Sequence, residues 1–280
     1  MTVAVSEGHA RDFARDGFVV LDDFFDANEL AGVRHCLTAT VRAFLNKAEA
    51  RFPGIAARVA PRQEADAGIA CLEAADHAYV AGIYDTIAQS PQMLRLQTSA
   101  KMTAAANRLL QRSDEAPLYT FTPRLRIDPP QDDRRTYGWH QEVFYTVPDS
   151  HFLQIWAPMI RDSSVINGTI EICRGSHLEG VARATWNEAP GRALQVLVDP
   201  EVVAKYPQTP LEMKVGQLLM FSGRTFHRSG SNQSDHVRYS LIGMFHDVDH
   251  PGFRPASVNF GFCGTQPADY FKAQMARFDR

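Results

Sequence analysis

At Pro117 the sequence passes from helix-like to strand-like patterning, and that switch constrains the fold more than any other feature of the chain. Before it, Asn28 to Ala50 and Ala74 to Leu110 are rich in alanine, leucine and charged residues, with apolar spacing that suits amphipathic helices. Asp26-Ala27-Asn28-Glu29 offers a helix start, while Phe52-Pro53-Gly54 and Pro61-Arg62-Gln63-Glu64 read as a connecting loop. After it, short apolar or alternating runs recur between turns bearing proline and glycine: Phe152 to Trp156, Thr169 to Cys173, Leu194 to Val198 and Leu241 to Phe245. This order predicts a mainly β architecture with flanking helices. No repeat, low-complexity tract or long linker interrupts it, so 1–280 reads as one domain, 1–116 mostly helical and 117–280 the β core. With 280 residues, 45% of them hydrophobic, the chain can bury a full core.

Composition narrows the partners. A formal charge of −3, from 29 basic and 32 acidic residues, gives no electrostatic case for nucleic acid or an anionic membrane surface. Cys36, Cys71, Cys173 and Cys263 are scattered without a CxxC pair, which argues against a zinc ribbon or a dense disulfide framework and fits a reducing cytoplasm. Met1 to His9 has no basic segment leading into a long apolar stretch, and nowhere do about 18 apolar residues run together, so neither secretion nor membrane spanning is expected.

Chemistry enters with His140-Gln141-Glu142 and the distant His227. Two histidines and one carboxylate have the make-up of a facial triad, which holds one face of a six-coordinate Fe(II) and leaves the other open for a co-substrate and dioxygen. At i and i+2 on a β-strand, His140 and Glu142 would point to the same side of a sheet. Around His227, Leu218 to Phe221 and Arg238 to Phe245 read as two strands joined by the polar turn Ser229 to Asp235, which would bring Arg238 back beside His227. An arginine opening an otherwise apolar strand needs an anion, and a carboxylate co-substrate would supply one.

Four ordered blocks then resemble the phytanoyl-CoA dioxygenase-like family of Fe(II)/2-oxoglutarate-dependent oxygenases: Asp16 to Phe25, Gly138 to Glu142, Gln154 to Pro158 and Asn167 to His177. The resemblance runs through most of the chain. It implies a double-stranded β-helix (a jelly roll) behind N-terminal helices, with His140, Glu142 and His227 as iron ligands. Arg238 and Ser229 would hold the distal carboxylate of 2-oxoglutarate, and Ser240, on the face of Arg238, is a second contact. The implied reaction consumes 2-oxoglutarate and O2 and hydroxylates an unactivated carbon of a small-molecule metabolite, giving succinate and CO2. A desaturase or ring-forming oxidase would use the same triad, and a non-catalytic jelly roll binding a metal or small molecule is the reading from another class. The family usually has aspartate where this chain has Glu142. Loss of that carboxylate would have suggested a halogenase.

Every assignment has a plainer rival. His140 and Glu142 could be a hydrogen-bonded pair, Arg238 a structural ion pair, and Ser229 and Ser240 satisfied turn or strand hydroxyls. Trp139 and Trp156 read as core and His177 as structural. His246-Asp247-Val248-Asp249-His250 has histidines at i and i+4, but Pro251-Gly252 favours a loop over a zinc helix. Arg124, Arg126, Arg134 and Arg135 read as a solvated surface, with an acidic substrate as the functional alternative. The irregular stretches Pro129 to Tyr137, Gly180 to Pro210 and Asp247 to Asp269 would shape the pocket mouth.

Overall fold

The computed structural model describes residues 5–120, 123–146, 150–188, 195–255 and 267–279. Leu194 and Cys263 lie outside them, as does the side chain of Arg135. Helix α1 (Glu7–Asp16), which the periodicity did not announce, starts at a capping box between Ser6 and His9 and stops at Gly17, whose φ of 83° a side chain would disfavour. It delivers the chain into β1 (Phe18–Leu21). Helix α2 (Ala27–Ala48) begins as expected, with Asp26 accepting from the backbone of Asn28 and Glu29, and it buries Val33, Leu37, Val41 and Leu45 as one stripe.

The stretch read as helical from Ala74 to Leu110 is broken into pieces: the end of α3 (Ile69–Ala75), then α4 (His77–Ala88), α5 (Pro91–Gln97) and α6 (Ala100–Leu109). Asp76 caps α4 through the Ala78 amide, and Ser90 caps α5 ahead of a proline at its first position. Local capping chemistry overrides an apolar period that would otherwise run on.

The β core is a jelly roll of two antiparallel sheets. The strands are β2 (Leu118–Thr120), β3 (Arg124–Asp128), β4 (Phe152–Pro158), β5 (Ile170–Cys173), β6 (Ala184–Asn187), β7 (Gln195–Val198), β8 (Gln208–Pro210), β9 (Leu218–Ser222), β10 (His227–Ser229) and β11 (Arg238–Asp247). In the larger sheet the order is β1-β9-β4-β11, and β2 and β3 share the far edge of β11. The smaller sheet orders β10-β5-β8, while β6 pairs with β7. Backbone bonds stitch these together: His140 pairs with His227 of β10, and the Val198 amide of β7 donates to Trp139 O at 2.9 Å. The segment that connects them is the one carrying the metal motif.

This corrects the reading of Leu218 to Phe245 as two strands. The turn at Gly223-Arg224 switches the chain between sheets, so β9 lies in the larger one and β10 in the smaller. Arg238 therefore faces His227 from the opposite sheet and is not its neighbour on an adjoining strand. A buried cluster joins the outer face of the larger sheet, with Leu125, Ile127, Leu153, Ile155 and Leu241, to residues of α2 through α6. The inner faces contribute Phe18, Trp156, Leu219, Phe221, Ile170 and Ile172, so the cavity between the sheets has an apolar floor. No helix among the described residues is long and apolar enough to cross a membrane.

Candidate metal centre

His140 and His227 face each other across a short antiparallel bridge, His140 N donating to His227 O at 3.0 Å and His227 N to His140 O at 3.1 Å. Directly opposed residues present side chains on one face, which sets the ring centroids 4.1 Å apart. Glu142 arrives differently from the expected strand. The chain is extended only through Gln141, then enters a 3-10 turn at Glu142–Phe144. Its carboxylate still reaches the imidazoles, with Oε2 3.7 Å from His140 Nε2 and 3.9 Å from His227 Nε2. Gln141 pins the bend: its amide donates to Gly180 O and Arg224 O at 2.7 and 2.6 Å and accepts from Ala182 N at 2.9 Å.

Both imidazoles are held in one tautomer. His140 Nδ1 lies 2.8 Å from Gly138 O and His227 Nδ1 3.0 Å from Thr225 O. A carbonyl can only accept, so each Nδ1 carries a proton and each Nε2 is turned toward Glu142. Burial, reinforced by His140, holds His227 well below the ordinary histidine range and so neutral. The three ligand atoms lie within 4.8 Å of one another, and no other such group of metal-binding side chains occurs among the described residues. Two imidazole nitrogens and one carboxylate oxygen on one side of a cavity suit a six-coordinate divalent ion with its other face open.

That cavity, of about 550 Å³, is lined by all three side chains and by Arg238 and Ser229. Arg238 is buried and already has an anion, the ion pair weighed as its plainer reading, with a partner the sequence did not name: its Nη2 lies 2.9 Å from Asp128 Oδ2. Asp128 also takes Arg126, with Nη2 2.8 Å from Oδ1, and Arg126 Nη1 donates to Ser229 Oγ at 3.0 Å. Burial raises the Asp128 carboxyl, but the two arginines outweigh it and the net shift is downward. The trio of two guanidiniums and one carboxylate keeps one positive charge. Ser240 shares the inner face of β11 with Arg238, its Oγ buried without a partner, but it is not among the residues lining the cavity.

The remaining readings resolve as follows. Asn167-Gly168 forms the turn beside Arg238; Gly168 has φ 81°, and a Cβ there would lie 2.4 Å from Gly230 O and 2.7 Å from Arg238 Nη1. His177 is structural, bonding Ala14 O at 3.1 Å, and Trp139 packs in a side cluster under Arg228. Trp156 is buried and also lines the cavity. His246 ends β11, stacked on Phe152 and bonded to Thr146 Oγ1 and Ser150 Oγ, which leaves it no lone pair for zinc. Of the four arginines, Arg134 is at the surface on Glu73 and Asp132, whereas Arg124 and Arg126 line the cavity. Tyr137, at the end of a stretch expected to shape the pocket mouth, lines the cavity, whereas sequence reasoning missed Tyr145 and Gln154 there. The alternation of Arg124, Arg126 and Asp128 on one strand face was the available signal for the first wall.

A family profile described as Phytanoyl-CoA dioxygenase (PhyH) matches residues 13–240. Among curated proteins, ectoine dioxygenase from Sphingopyxis alaskensis is 29% identical over 178 residues, covering 62% of this chain and 50% of that protein. Phytanoyl-CoA dioxygenase domain-containing protein 1 from Mus musculus is 32% identical over 105 residues, covering 35% of each. The chain thus spans half or less of the curated relatives it matches. Among solved structures, the epimerase SnoN in complex with Fe3+, alpha ketoglutarate and nogalamycin RO superposes with a TM-score of 0.56 at 19% identity, covering 86% of this chain and 83% of that one. That likeness is one of fold.

Proposed function

Because the chain belongs to the phytanoyl-CoA dioxygenase family, we propose that it is an Fe(II)/2-oxoglutarate-dependent oxygenase that hydroxylates an unactivated carbon of a small molecule. The observation that carries the reading is the convergence of His140 Nε2, His227 Nε2 and a Glu142 oxygen beside a cavity that also holds a buried, charge-compensated arginine. The three side chains are the ligands in this reading. Gly138 O and Thr225 O orient the two rings so that each turns its Nε2 toward the shared centre, and burial keeps His227 neutral.

Arg238 and Ser229 are assigned to the distal carboxylate of 2-oxoglutarate; Ser240, which does not line the cavity, is not carried over as a contact. Arg126 donates to Ser229 Oγ, taking one of its two lone pairs and leaving the hydroxyl hydrogen available to a carboxylate. The single net positive charge of Arg126, Asp128 and Arg238 matches one carboxylate. Phe221, Ile170 and Trp156 exclude water from the space between the two ends. When bound, ferrous iron with 2-oxoglutarate and O2 supplies a two-electron oxidation that inserts one oxygen atom into a C–H bond and leaves succinate and CO2.

The likeness to an epimerase means that the fold does not fix the fate of the oxidised carbon. A product heavier by one oxygen supports hydroxylation; loss of two hydrogens identifies desaturation or ring formation. The direct test is anaerobic titration with Fe(II) and 2-oxoglutarate, followed by succinate release on admitting O2. Wild type should bind both and His227→Ala neither bind iron nor release succinate. Binding of iron without any 2-oxoglutarate turnover would instead favour a non-catalytic metal-binding jelly roll.

A further inference from the structure

Two features of the cavity wall are left over once the metal ligands and the keto-acid anchor are assigned. The first is Arg124. On β3 the alternate residues Arg124, Arg126 and Asp128 face inward, and their partners on β11 are Ile242, Ser240 and Arg238. Arg126 and Asp128 are tied into the Arg238 cluster. Arg124 lies two residues nearer the open end, lines the cavity and is exposed, and its side chain makes no hydrogen bond or ion pair among the described residues. Asp85, also exposed in the lining, makes no ion pair with it.

The second is Gln154 on β4, between Phe221 and Met244 in register. It is 6% exposed and lines the cavity, and its Nε2 is buried without a hydrogen-bond partner. A carboxamide left unpaired at such depth costs about 1–3 kcal/mol unless something else in the cavity pairs with it. Neither residue belongs to the sets assigned above.

Charge accounting gives Arg124 its meaning. Resting on the proposed function, a ferrous ion offsets Glu142 and one carboxylate of 2-oxoglutarate, and the Arg126–Asp128–Arg238 cluster offsets the other carboxylate. Arg228 is neutralised by Glu171 at 2.8 Å. Among the described residues, Arg124 is the lining cation left without an ion pair, the exposed carboxylate of Asp85 sharing the lining but not pairing with it. Between it and Gln154 stand Ile242, Trp156 and Met244, an apolar strip in the same sheet.

We infer that the substrate is a small organic anion, its carboxylate or phosphate oxygens held by Arg124, its carbon skeleton on the Ile242–Trp156–Met244 strip and a polar group hydrogen-bonded to Gln154. A guanidinium at the mouth takes charged oxygens while still partly hydrated, and the buried amide reads the other end of the molecule.

Full-length protein loaded anaerobically with Fe(II) and 2-oxoglutarate is titrated calorimetrically with 3-phenylpropanoate, 3-(4-hydroxyphenyl)propanoate, octanoate and phenyl phosphate, the three carboxylates beside their neutral amides and the phosphate beside phenol. At least one anion should bind ten-fold or more tighter than its neutral counterpart. Arg124→Gln should erase that difference and Arg124→Lys retain part of it. Gln154→Leu should remove the preference for the hydroxyphenyl acid over the phenyl acid while keeping the discrimination of acid from amide. A mere loss of folding would weaken acid and amide alike and would leave no such pattern. Equal binding of anions and neutral counterparts, a difference that survives in Arg124→Gln, or no anion bound by protein that does bind 2-oxoglutarate would overturn the inference alone. Failure to bind 2-oxoglutarate at all would overturn the proposed function and this inference with it.

Discussion

Asp128 sits between two guanidiniums inside the jelly roll, 2.8 Å from one and 2.9 Å from the other, with both its oxygens used. Neutralising it leaves two like charges buried side by side, and breaking a buried pair in this way costs about 3–5 kcal/mol. Asp128→Asn should therefore unfold at markedly lower denaturant. Because Arg238 loses its orienting partner before any ligand binds, KM for 2-oxoglutarate should rise more than kcat falls; an unchanged KM would remove Asp128 from the positioning of Arg238. Glu142 allows a second prediction. It reaches the two Nε2 atoms from the start of a 3-10 turn, so Glu142→Asp withdraws the oxygen by one methylene from a backbone that does not follow. Iron affinity in an anaerobic titration should fall by at least roughly 10–100-fold, the loss expected when only a ligand's outer support is disturbed. His140, Glu142, His227 and Arg238 were legible in the sequence because residue type announces metal and anion chemistry. Asp128 was not, because its role depends on the register of β3 against β11, and no local pattern states which strands pair.

At the scale of elements, β11 carries two kinds of chemistry along one strand, an anion anchor at Arg238 and a buried imidazole at His246. Burial pulls the His246 pKa down to about 3, so the folded protein keeps it neutral, bonded to Thr146 and Ser150. Above the unfolded value of about 6.5 neither state carries the proton and the stabilisation is fully present. As pH falls from there towards 3, only the unfolded chain takes up the proton, and stability declines by up to about 1.4 kcal/mol per pH unit. Urea unfolding at pH 7.5 and pH 5 should show a smaller loss for His246→Gln than for wild type. A parallel loss in both would assign the acid limb to carboxylates alone. The Gly168 turn is as demanding in another way: with φ at 81° and backbone where a Cβ would go, Gly168→Ala should destabilise the protein by more than about 1 kcal/mol and weaken 2-oxoglutarate binding through Arg238. Strands were readable from alternation and α2 from its capping box. The division of residues 74–110 into separate helices was harder to read, since Asp76, Ser90-Pro91 and Ser99 are weak signals inside a strong apolar period.

For the whole molecule, the decisive contact is between the helical layer and the outer face of the larger sheet. Leu37, Val41 and Leu45 of α2 and Ile83 of α4 belong to one buried cluster with Leu125, Ile155 and Leu241 of the sheet. Tyr239 of β11 and Ala65 are joined by a hydrogen bond across the same boundary, and Arg161 next to β4 pairs with Asp66 at 2.5 Å. A helical layer stripped from that face would expose the apolar side of the larger sheet and leave the β core only the smaller clusters between and beside its sheets. The expectation of one folding unit over 1–280 thus becomes a measurable claim: helix signal in the far-ultraviolet and tertiary signal in the near-ultraviolet should be lost in one coincident thermal transition. The metal centre belongs to the other sheet, through His227 and the His140 bridge, whereas Arg238 and Asp128 belong to the larger one. A ligand that binds both ends ties the two sheets together, so Fe(II) with 2-oxoglutarate should raise the midpoint of that single transition by more than iron alone, rising with the logarithm of ligand concentration over its dissociation constant. Two separated transitions, with only the later one moved by ligand, would show that the N-terminal helices are a cover able to leave the β core intact.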